Sequence, residues 1–395
     1  MRRSDRSELS DGELIALVER VFRPRPEEHR LLVLSDLPDA ARPDHPAWAT
    51  RRDLALDWAR RLAARGTPRG MKVRLALYRN VRANNADLPA RAFIQPLAAA
   101  LPATADALGE MPSMAFDQLL ANSDLVLAPT ELSTTAPLKL AARRHHLRAA
   151  TMPGFSPAMV AALRLDFDEI DRRVRALAAW LERATGARLR FIVDRDEQHE
   201  LFLDLRFRRA HASGGLLTEP DSAGNLPSGE AYIVPYEGER AGEPSASQGT
   251  LPVELDGGVV RYQIEGNRAL AAVGDEPMAA EESRRLRQDP AYGNLAEFGL
   301  GVLAAFGVHP IGVILLDEKL GPHLAFGRSD HFGGQVGPAD FSQPQRVVHI
   351  DRVYLPETQP RVSLDAIDLH LDDVAIEPLW RRDNYVPGIF DRAPT

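Results

Sequence analysis

"DFDEIDRRVRALAAWLERATGARLRFIVD", residues 166–194, carries the change of texture on which the fold turns. Phe167, Ile170, Val174, Leu177 and Leu181 recur at steps of three and four with charges between them, which predicts one amphipathic helix running to Gly186. After "ATG" the spacing becomes that of strands, in "LRFIVD" and again in "LFLDLRF" (201–207). A domain boundary is expected along this helix.

Upstream, Ser10 and Glu13 form a capping-box pattern ahead of "LIALVERVF" and predict a first helix over 11–22. The short apolar runs "LLVLSD" (31–36), "VRLALY" (73–78) and "LVLAP" (125–129) are separated by helical stretches such as "RRDLALDWARRLAARG" (51–66). Buried strands alternating with helices imply crossover connections and a parallel sheet. Downstream, "AYIVPY", "TLPVEL", "GVVRYQIEG" and "VVHIDRVYL" read as short strands between turns. The expected fold is an α/β amino-terminal domain, doubly wound with a mostly parallel sheet, over 1–165. A connecting amphipathic helix follows over 166–187, then an α+β domain rich in antiparallel strands over 188–395.

The chain has 395 residues, enough for two cores. It contains no cysteine, which removes disulfides, thiolate nucleophiles and Cys-ligated metals, so any metal must sit on His, Asp and Glu. A formal net charge of -8 lacks the basic excess that phosphate neutralisation requires, and no nucleic-acid partner is expected. The sequence shows neither an apolar run long enough to span a bilayer nor a signal-peptide core, so a cytoplasmic protein without a membrane partner is expected. No G-x-G-x-x-G follows the early strands to suggest a nucleotide site.

Four segments of the second half carry the polar residues of interest. In "VVHIDRVYL" strand alternation puts His349 and Asp351 on one side, a pattern that also serves purely structural pairs. In "GPHLAFG" (321–327) His323 is the single polar residue of an apolar strand and needs a hydrogen-bond partner or a metal. Glu230 stands at a turn-to-strand junction in "NLPSGE" (225–230), where a plain turn residue is the simpler reading. Glu297 is the only charge in "AYGNLAEFGLGVLAAFG" (291–307), where an ionised carboxylate is costly to bury without a cation. Three carboxylates and two imidazoles suit one or two divalent first-row ions, and the carboxylate excess suits a dinuclear centre with one carboxylate bridging.

The ordered series "NLPSGE", "AEFGLG", "LLDEKLGPHLAFG" and "VHID" resembles the metal-binding segments of the thermophilic-type (M29, aminopeptidase T/S-like) metallo-aminopeptidases, over the whole second domain. The resemblance implies a cytoplasmic homodimeric hydrolase with two Zn, Co or Mn ions held by Glu230, Glu297, His323, His349 and Asp351. It further implies a peptide or amide substrate, with Glu230 or Glu297 as proton acceptor and the other as bridge. The family has a Tyr seven residues after the third-motif His; this chain has Asp330, which together with His331 is a candidate substrate or metal contact. "DEK" (317–319) reads either as an outer support for His323 or as a solvated ion-pair turn. Dihydroxypyridine dioxygenases of the same superfamily use one iron on two His and one Asp. In that branch a His stands at the position of Glu297 and the third-motif His is absent, so Glu297 and His323 favour the hydrolytic branch. A mononuclear Fe(II) ring-cleaving enzyme and a non-catalytic relative are the alternatives.

Overall fold

A computed structural model describes residues 7–65, 70–371, 374–392 and 394. The chain divides into two compact units, 1–168 with 215–228, and 169–214 with 229–395. The architecture is an α/β unit followed by one rich in antiparallel strands.

The first unit opens on the helix Asp11–Phe22, whose capping box is formed by Ser10 and Glu13 and whose buried face is Leu14, Leu17, Val18, Val21 and Phe22. Its seven-stranded sheet runs, edge to edge, 223–225, 148–151, 125–128, 30–37, 72–79, 91–95, 113–115. The first five of these pair in parallel; the strands at 91–95 and 113–115 join antiparallel. Alternate residues of the strand Arg30–Leu37 enter separate cores: Leu32 and Leu34 pack with Leu119 and Leu138, while Val33 and Leu37 pack with Ala55 and Ala59. Burial on both faces accounts for the unbroken apolar run in "LLVL". The strand Ala223–Asn225 at one edge belongs to a segment expected in the second domain, 215–228, which the chain returns to this unit.

The amphipathic helix spans Phe167–Arg183. The second unit holds an eight-stranded sheet, in the order 268–274, 258–265, 248–255, 197–204, 186–193, 362–370, 376–381, 384–385, and a five-stranded sheet, 349–353, 322–327, 295–301, 230–233, 210–213. Both are antiparallel throughout. One face of the five-stranded sheet is apolar: Phe298, Leu300, Leu324 and Phe326 are buried, and the Phe326 ring packs tilted against Tyr262 of the larger sheet, centroids 4.8 Å apart.

The opposite face is arranged by alternation and register. Glu230 lies across from Gly301, Glu297 from Ala325, His323 from Gly299, Asp351 from Ala325 and His349 from Gly327. On at least one side each long polar side chain therefore faces a residue with little or no side chain, although His323 also has Val353 and Glu230 has Ser213 across from it, and this leaves room for five of them to converge over one patch of sheet. At Gly299 the fit is tightest, since a Cβ there would lie 2.0 Å from Nε2 of His323.

Gly299→Ala is therefore expected to destabilise the protein by about 1–3 kcal/mol, because the imidazole has to leave its position. Gly109→Ala, at a glycine with nothing within 4 Å of its would-be Cβ, should change stability by less than about 0.5 kcal/mol. Equal denaturation midpoints for the two variants would refute this packing account.

Candidate metal centre

Glu230 begins the strand Glu230–Ile233, and Glu297 lies inside Leu295–Gly301. His323 comes from Pro322–Gly327, and His349 and Asp351 from the edge strand His349–Val353. Among the described residues two groups could hold a metal ion: Glu230, Glu297 and His323, and Glu297, His349 and Asp351, with ligand atoms in each within 4.8 Å of one another. Glu297 belongs to both. Its Oε1 is 3.4 Å from His323 Nε2, while its Oε2 is 3.3 Å from His349 Nε2. His323 Nε2 is also 3.5 Å from Glu230 Oε2, and His349 Nε2 is 3.5 Å from Asp351 Oδ1.

These separations are those of long N–H···O bonds, beyond the usual ~2.9 Å. They match the ~3.3 Å between two ligand atoms that each lie ~2.0 Å from one tetrahedral ion. The remaining ring nitrogens are committed: Nδ1 of His323 lies 3.2 Å from the Gly321 carbonyl and Nδ1 of His349 lies 2.8 Å from the Arg328 carbonyl. A carbonyl only accepts, so each Nδ1 carries a hydrogen and each Nε2 turns toward the carboxylates, the orientation a metal-binding histidine needs. Oε2 of Glu230 and Oδ1 of Asp351 are buried without a hydrogen-bond partner. Unsatisfied anionic oxygens are expensive in a protein interior, and a cation would satisfy both. The donor set thus fits a divalent metal.

Protons and one ammonium hold the charge of the cluster in check. Burial alone would raise the pKa of Glu297, but hydrogen bonds from His323 and His349 outweigh it and keep the carboxyl well below the usual range. Burial likewise opposes protonation of His323, yet the Glu297 hydrogen bond and the Glu230 charge raise it to about 9. His349 is raised for the same reasons by Asp351 and Glu297. Asp351 is lowered, the pull of His349 exceeding the effect of burial. Glu230 moves upward through burial, only partly countered by Lys319.

The segment "DEK" takes neither of its expected roles. Asp317 accepts from the backbone of Ile311 (2.9 Å) and Gly312 (2.8 Å), and the Gly321 carbonyl, not a carboxylate, orients His323. Glu318 and Lys319 instead turn inward. Lys319 is 1% exposed, so the pair is not a solvated turn, and its Nζ donates to both Glu230 Oε1 and Glu318 Oε1. Burial pushes Glu318 up to about 8 despite this ammonium. A buried lysine four residues before His323 was missed in sequence; the one available signal was its place between an apolar run and "GPHLAFG".

Asp330 and His331 stand apart from the two groups. The Asp330 carboxylate is bound by Arg328, which with the His331 charge holds its pKa low against the effect of burial. His331 rests on Phe332, ring centroids 3.9 Å apart, and meets His349 edge-on at 5.4 Å. Burial and the neighbouring His349 charge lower its pKa to about 4. The loop bearing both is fixed by Glu237, which accepts from Ser329 Oγ (2.5 Å), the Gln335 amide (2.5 Å) and Asn294 (2.8 Å).

No protein-family model matches the chain, and no curated protein matches its sequence. Solved structures do. The chain is similar to 2,5-dihydroxypyridine dioxygenase from Pseudomonas putida KT2440, with a TM-score of 0.60 at 17% identity over 98% of this chain and all of that one. It is also similar to AmpT from Thermus thermophilus, with a TM-score of 0.55 at 14% identity over 95% of this chain and 98% of that one. The chain shares the fold common to both.

Proposed function

We propose that this chain is a metal-dependent hydrolase of aminopeptidase type, acting on a peptide or amide bond, with two divalent cations held by Glu230, Glu297, His323, His349 and Asp351. The observation that carries this reading is Glu297, whose two oxygens face different imidazoles at 3.4 and 3.3 Å. That is the disposition of a bridging carboxylate.

When bound, such a pair of cations acidifies a water and polarises a carbonyl, supplying hydrolytic chemistry without Ser or Cys. The protein's own groups then divide the remaining work. Glu297 has both oxygens engaged and a strongly depressed pKa, which suits a bridge and makes it a poor proton acceptor. Glu230 keeps only Oε2 without a hydrogen-bond partner, so it stands as a ligand through that oxygen. Lys319 steadies its other oxygen. His331 is neutral above about pH 4 and presents an uncharged ring beside His349, where it can contact substrate.

A single-iron ring-cleaving enzyme is the second reading, favoured by the likeness to the dioxygenase. Against it, each group here offers one imidazole and two carboxylates rather than the two-His, one-carboxylate set of such irons.

Metal-loaded protein is expected to hydrolyse members of a panel of aminoacyl amides and short peptides, to lose activity on chelation, and to regain it with zinc, cobalt or manganese. Oxygen-dependent turnover with one ferrous ion per chain would instead establish the second reading. Glu297→Gln should lower kcat/KM by about a thousandfold or more, and undiminished hydrolysis would remove Glu297 from the chemistry.

The pKa values also set a pH dependence. His323 is raised from 6.5 to about 9 in the folded, metal-free protein, so its contribution to stability is complete below pH 6.5 and lost as pH rises through 9. Glu318, raised from 4.5 to about 8, acts in the same direction. A cation replaces the proton on His323, so the rise in Tm on adding zinc should grow between pH 6.5 and 9. A zinc-induced rise that shrinks over that interval would contradict the proposed exchange.

A further inference from the structure

The two halves of the centre are alike in donors, each with two carboxylates and one imidazole and with Glu297 in common. Their surroundings differ. The ammonium of Lys319, buried and hydrogen-bonded to Glu230 Oε1, stands against one half only. Its second bond, to Glu318 Oε1, anchors it so that it cannot swing away when a cation arrives. Close backbone packing fixes its approach, since a Cβ on Gly301 would lie 2.3 Å from the Lys319 carbonyl carbon. No ionic partner of His349 or Asp351 is a lysine or arginine among the described residues.

We propose that Lys319 makes the centre unequal: the Glu230–Glu297–His323 half binds its divalent cation more weakly than the Glu297–His349–Asp351 half, and the two fill in sequence. Two effects act together. The ammonium repels a second cation at short range in a poorly screened interior. It also occupies one oxygen of Glu230, which leaves that ligand only Oε2 to offer. Glu318 restores no donor to the site, because its Oε1 is spent on the ammonium. The inference rests on the two-cation reading given above.

Binding rather than turnover tests it. Chelator-stripped full-length protein is titrated with cobalt(II), followed by equilibrium dialysis and visible absorption. The wild type should take up one equivalent tightly and a second at least about tenfold more weakly. Glu230→Gln should remove only the weak step, and Asp351→Asn the tight one. Lys319→Met, with Lys319→Gln as the second variant should the first not fold, should tighten the weak step by at least about tenfold. Two equivalents of equal affinity, the reverse assignment of the two steps, or lysine variants with unaltered second-step affinity would each overturn the inference. A wild-type chain that takes up no divalent cation would overturn the metal-centre reading itself.

Discussion

The second unit is organised around a surplus of carboxylates, four against three basic groups, with little access to water. Glu230, Glu297, Asp351 and Glu318 converge with one ammonium and two imidazoles on a single patch of sheet. Carboxylates in that setting must be paired, protonated or coordinated. The placement of glycine and alanine opposite each candidate ligand and the commitment of both Nδ1 atoms to backbone carbonyls follow from housing that surplus.

Antiparallel pairing is what makes the arrangement possible. Three neighbouring strands, 295–301, 322–327 and 349–353, present alternate residues to one side, so candidate ligands far apart in sequence become cross-strand neighbours. The other side of the same strands supplies Phe298, Leu300, Leu324 and Phe326 to the core. The apolar core and the candidate metal ligands are thereby assigned to opposite faces of one sheet. A slip of register by one residue would exchange them and bury the ligands against Tyr262.

Glu297 and His323 were legible in the sequence as polar interruptions of apolar runs, and strand alternation paired His349 with Asp351, whereas Glu230 stood at a turn-to-strand junction where a plain turn residue was the simpler reading. The early strands and the capped first helix were legible for a similar reason, being strong local patterns. Register was not. That Gly299 lies under His323 depends on which strands pair, and no local pattern carries that information. Lys319 escaped because a lysine between two acidic neighbours and a glycine has the composition of an exposed turn, while its burial is decided by Glu230, 89 positions away. The strand Ala223–Asn225 has no periodicity to detect at three residues, and it is a strand only because Ala149–Thr151 pairs with it.

That short strand has a consequence for how the polypeptide emerges and how it can be cut. The first sheet needs residues 223–225 to cover the edge at 148–151, yet residues 169–214, which belong to the other unit, are synthesised in between. During translation the first unit waits for its last piece with the edge at 148–151 unpaired. A gene fragment ending near residue 168 would make that vacancy permanent, leaving a buried-type strand as a template for self-association. Neither unit is encoded by one uninterrupted stretch, so the two halves of this molecule are inherited together.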